Sequence, residues 1–62
     1  MIEVMYFYHR NDGKIITHYA YFHRADRALR FIYKCIRSPK MVYGSVNCDD
    51  PYDQEWIESR IK

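Results

Sequence analysis

The stretch Tyr6-Phe7-Tyr8-His9-Arg10-Asn11-Asp12-Gly13-Lys14-Ile15-Ile16-Thr17-His18-Tyr19-Ala20-Tyr21-Phe22-His23-Arg24 decides the fold. An aromatic run ending in His-Arg stands on each side of Asn-Asp-Gly-Lys, which reads as two strands joined by a tight turn. Aromatic residues occupy both sets of alternating positions, whereas a small sheet has one face to bury against a helix. Some rings are therefore expected to stay exposed and to form a binding surface.

The turn leaves two registers open. Asp12-Gly13 forms a two-residue turn, or Gly13 supplies the left-handed residue of a three-residue turn with a bulge, and a one-residue slip exchanges the faces. The three-residue form is favoured because it groups Ile2, Val4 and Tyr6 with Ile16, Ala20 and Phe22 as a core. It places Phe7, His9, Thr17, Tyr19, Tyr21 and His23 on the other face.

Working outward, Ala25, Ala28, Leu29, Ile32 and Ile36 recur at helical spacing, and Ser38-Pro39 ends that helix near Arg37. On its opposite side Arg27, Arg30, Lys34 and Arg37 are spaced three, four and three apart, a basic ridge about 15 Å long at 1.5 Å per residue. Residues 41–48 read as a third strand with Val42, Gly44, Val46 and Cys48 on one face, Val42 and Val46 pointing inward, and Met41, Tyr43, Ser45 and Asn47 on the other. Asp50 then caps a short final helix with Pro51 in its first turn, anchored by Tyr52, Trp56, Ile57 and Ile61. The fold class is α+β: a small ββαβα domain, residues 1–62, with a three-stranded sheet, one main helix packed on one face and a short C-terminal helix. A right-handed crossover sets the third strand parallel to the second, and beside the first it gives the order 2-1-3.

Composition fixes the broad class. The chain has 62 residues, 48% apolar and 18% aromatic, with two Gly and two Pro, so it folds rather than staying disordered. A domain this small buries only about 60% of its unfolded surface, and a homodimer or tight partner would reinforce it. Cys35 and Cys48 make no disulfide framework, although a single bridge forms if their Cα atoms come within about 7 Å. With no leader or long apolar run, an intracellular, reduced, cytoplasmic protein without membrane contact is expected. Charge is divided: residues 1–47 hold eight Lys or Arg against Glu3, Asp12 and Asp26, whereas residues 48–62 hold five acids against Arg60 and Lys62.

Each candidate site has a functional and a structural reading. Phe7, Tyr19, Tyr21 and Tyr43, beside His and Arg residues, fit a protein interface, a platform for stacking nucleic-acid bases, or half-buried strand packing. Arg27, Arg30, Lys34 and Arg37 fit a phosphate backbone, an acidic protein surface or a solvated helix face, and the absence of acids on that line favours a role. His9, His18 and His23 with the two cysteines match no zinc spacing, so no metal or cofactor is expected. Cys35 lacks a positioned base, and Asp49, Asp50 and Asp53 read as a cap and helix-dipole partners, so the chain is expected not to be an enzyme.

Ala28-Leu29-Arg30-Phe31-Ile32-Tyr33-Lys34 and Cys48-Asp49-Asp50-Pro51-Tyr52-Asp53-Gln54-Glu55-Trp56 resemble stretches of short uncharacterised phage and prophage proteins of Gram-positive bacteria. The likeness covers about the last forty residues and implies a context. Very small phage accessory proteins commonly act as stoichiometric inhibitors or modulators of host machines, anti-CRISPR proteins among them. The leading expectation is a non-catalytic protein that binds a host protein handling nucleic acid. Direct nucleic-acid binding by Tyr19, Tyr21, Tyr43 and the ridge is the second, and a homodimer through the aromatic face the third.

Overall fold

The computed structural model describes residues 1–61. Its elements run β1 (Ile2–His9), β2 (Ile15–Phe22), α1 (Ala25–Arg37), β3 (Met41–Cys48) and α2 (Pro51–Ile61). The sheet order is β2-β1-β3, with β1 antiparallel to both neighbours. β2 and β3 therefore run in the same direction, and α1 connects them across the sheet.

The hairpin takes the three-residue register. Ile2 pairs with Phe22 and His9 with Ile15. The Arg10 amide donates to the Lys14 carbonyl at 2.8 Å and the Gly13 amide to the Arg10 carbonyl at 3.1 Å. Gly13 has φ +87°, a conformation that costs glycine little because it lacks Cβ. Asp12 reinforces the turn by accepting from the Lys14 amide at 3.1 Å and pairing with Arg10 at 3.2 Å.

Register puts Ile2, Val4, Tyr6, Ala20 and Phe22 on the helix side. Ile2, Val4 and Val46 of the sheet pack with Ala28, Leu29 and Ile32 of α1 and Ile57 of α2 in one buried cluster. Cys35 is also fully buried in α1. Each buried Ile, Leu or Val contributes about 1.5–3 kcal/mol on burial, so a core of this size holds the sheet and both helices with little to spare. Several expected core members lie outside it: Tyr6, Ile16 and Ala20 are half-buried on the helix side, and others are exposed. Ile36 is 52% exposed in the last turn of α1, where Cys35 holds the inward position, and Tyr52 is 83% exposed. Tyr52 precedes Ile57 by five residues, which places it about 140° around the helix from that anchor.

A larger departure occurs in β3. The β1–β3 register shifts between Met5 and Tyr6, so that Ser45 faces Met5 and Tyr43 faces Tyr6 while Gly44 is the extra residue of a bulge. A Cβ at Gly44 would lie 2.9 Å from the Met5 carbonyl oxygen and 3.2 Å from Phe7 Cε2. Only glycine permits that approach without displacing backbone. The bulge reverses the faces beyond it: Val46 is 7% exposed on the core side, whereas Val42 is 47% exposed on the other. The expectation that both valines point inward fails because two-residue alternation does not survive an inserted residue.

Helix ends follow local chemistry. Asp50 Oδ1 accepts from the Tyr52 amide at 2.9 Å, with Pro51 opening α2. Ser38 stands extended before Pro39 and closes α1 by donating its amide to the Cys35 carbonyl at 3.2 Å. Gln54 covers the free edge of β3. Its Oε1 accepts from the Cys48 amide at 2.7 Å and its Nε2 donates to the Val46 carbonyl at 2.9 Å. This side-chain amide supplies the pair of bonds a fourth strand would make, and so blunts the edge.

Candidate functional site

Both helices pack on the same face of the sheet, because the buried cluster draws on α1, α2 and only that face. The opposite face has no covering element among the described residues. From β2 it presents Ile15 at 60%, Tyr19 at 52% and Tyr21 at 57% exposure. Phe7 lies half-buried at its centre, paired with Thr17 on one side and Val42 on the other. Glu3 pairs with Tyr21, and desolvation followed by the Glu3 carboxylate raises the Tyr21 phenol above its ordinary value. The phenol thus remains a hydrogen-bond donor across the physiological range.

Tyr43 belongs elsewhere. The Gly44 bulge turns it to the helix side, where it packs half-buried against the core cluster, and burial, then Glu58, raises its phenol pKa. The four aromatics expected on one platform are therefore three on the open face and one beneath the helices. Val42 takes the position on the open face that Tyr43 was expected to hold.

Arg27, Arg30, Lys34 and Arg37 form the expected ridge, all exposed and opposite the buried stripe of α1. Together with Phe22 and Phe31 they line an open groove of about 540 Å³. No carboxylate lines it, and none of these four cations takes part in an ion pair among the described residues. Phe31 packs at a tilt against Phe22 at 5.4 Å and edge-on against Tyr6 at 5.0 Å, and Tyr6 stacks in turn on exposed His18 at 5.5 Å. A ribbon of rings thus runs beside the ridge. Sequence reasoning assigned Tyr6 and Phe22 to a plain core and gave no role to Phe31 or His18. The readable signal was the even-numbered parity that Tyr6, His18 and Phe22 share in the hairpin.

The ridge and the open face lie on opposite sides of the sheet, so Tyr19 and Tyr21 do not adjoin Arg27, Arg30, Lys34 and Arg37. The acidic helix lies beside α1 on the helix side of the sheet. Tyr33, about 200° around α1 from Phe31 and about 60° from Arg30, donates to the Arg60 carbonyl of α2 at 3.1 Å, which ties the two helices together, and no α2 residue lines the groove.

Both cysteines are free thiols. Burial raises the Cys35 pKa despite the nearby Lys34 ammonium, and burial together with Asp53 raises that of Cys48. Neither is an activated nucleophile. Among the described residues no three His, Cys, Asp or Glu side chains converge to hold a metal ion, and no helix is long and apolar enough to cross a membrane. Comparison with known proteins finds that no family model, no curated protein and no solved structure matches this chain.

Proposed function

We propose that this chain is a non-catalytic, phage-type accessory protein that binds a host protein stoichiometrically and modulates or inhibits a nucleic-acid-handling machine, as anti-CRISPR proteins do. The observation behind this reading is the open sheet face, where Ile15, Tyr19, Tyr21 and Val42 are about half exposed or more and surround Phe7. Tyrosines on a rigid strand offer large contact areas and retain a polar tip, the combination that anchors protein interfaces. Cytoplasmic action follows from a target of this kind.

Affinity capture of the tagged protein from a bacterial lysate, with and without nuclease, tests the proposal. It expects a discrete protein partner that survives nuclease and is lost with Tyr19→Thr/Tyr21→Thr. Partners that disappear with nuclease argue against it. A chain that sediments as a dimer, and becomes monomeric with those substitutions, assigns the face to self-association instead.

A further inference from the structure

We infer that the groove between α1 and β2 is a binding site for single-stranded nucleic acid, separate from the open sheet face. Four cations stand in one row about 15 Å long, which suits a linear polyanion better than a point anion. Three of the four are arginines, whose planar fork bonds phosphate oxygens in pairs and stacks on bases. None of them takes part in an ion pair among the described residues, and no carboxylate lines the groove. Phosphate in the groove therefore meets no lining carboxylate.

The floor decides the strandedness. Phe22 and Phe31 line the groove, and the ring ribbon continues from Phe31 through Tyr6 to exposed His18. Rings placed beside a row of cations offer stacking surfaces that only unpaired bases can use, because paired bases hide their faces in the duplex. An acidic protein segment would satisfy the ridge but make no particular use of this line of rings. The site also differs from an aromatic platform built on Tyr19, Tyr21 and Tyr43, since those residues stand on the other side of the sheet or beneath α2.

The test is fluorescence anisotropy of the full chain with labelled oligothymidylate, oligouridylate, a duplex of the same length and a polyglutamate peptide. Single strands are expected to bind more tightly than duplex or polyglutamate. Affinity should fall with salt at a log–log slope of about −2 to −3, the value for three to four single-strand phosphates. Arg30→Ala/Lys34→Ala should lower affinity tenfold or more and flatten the slope by about 1.4, while circular dichroism is unchanged because both residues are exposed. Phe31→Leu should weaken single-strand binding at constant slope. Tyr19→Thr/Tyr21→Thr should leave it intact, which separates this site from the protein-binding face. No single-strand binding at about 50 mM salt, equal or tighter binding of duplex or polyglutamate, or indifference to Arg30→Ala/Lys34→Ala would each overturn the inference.

Discussion

Val42 and Val46 lie four residues apart in one strand yet stand on opposite faces of the sheet, one 47% exposed and the other 7%. A regular strand returns to the same face every second residue, so the pair records the one-residue insertion at Gly44. That insertion moves Tyr43 beneath the helices, and with it the composition of the open face.

Gly44→Ala should destabilise the protein by about 1–3 kcal/mol in urea denaturation, because the new methyl group meets the Met5 carbonyl oxygen at 2.9 Å. Shortening Met5 should not restore stability, since the nearest obstacle is backbone. Unchanged stability in Gly44→Ala would rule out the bulge as placed here.

Gln54→Ala should cost about 1–3 kcal/mol and speed hydrogen exchange at the Cys48 amide, because that amide and the Val46 carbonyl lose their partner together. Gln54→Glu keeps an acceptor for Cys48 and loses the donor to Val46, so it should fall between. Protection at Cys48 that is equal in all three proteins would contradict the edge-capping role.

Alkaline pH should weaken the fold. Cys35, Cys48, Tyr21 and Tyr43 all hold their protons more tightly folded than unfolded. Their contribution is full below the ordinary values of 9.0 for the thiols and 10.0 for the phenols, and it is lost as pH rises through the raised folded values. Melting temperature should therefore drop above about pH 9, less steeply in Cys35→Ala. A melting temperature that rises over this range would reverse the assigned direction.

Tyr19→Thr/Tyr21→Thr should change stability by no more than about 1 kcal/mol, because both rings are largely exposed and threonine suits a strand. The same pair should reduce capture of a protein partner tenfold or more, a loss of about 1.4 kcal/mol or greater in binding. Ile57→Ala, which empties a fully buried site, should do the reverse and cost about 2–5 kcal/mol in stability. If the tyrosine pair behaves like Ile57→Ala, the open face is structural.

The sequence by itself determined the elements and their order, because each boundary is written in short-range backbone chemistry. Asn11-Asp12-Gly13 marks the hairpin turn, Pro39 ends α1, and Asp50-Pro51 starts α2, while the choice between the two hairpin registers came from the structure, which holds Gly13 at positive φ. Even-odd parity puts Tyr19 and Tyr21 together on one face, the open one in the favoured register, and helical spacing places Arg27, Arg30, Lys34 and Arg37 on one line. The tertiary structure decided what depends on contacts between distant segments. Gly44 becomes a bulge only because Met5 and Phe7 of another strand press against it, and that contact reassigns Val42 and Tyr43. Gln54 is an edge cap only because α2 returns alongside β3. Phe31 joins the ridge to Phe22 and Tyr6 only once α1 lies across the hairpin, since no local preference of the chain records which rings will meet.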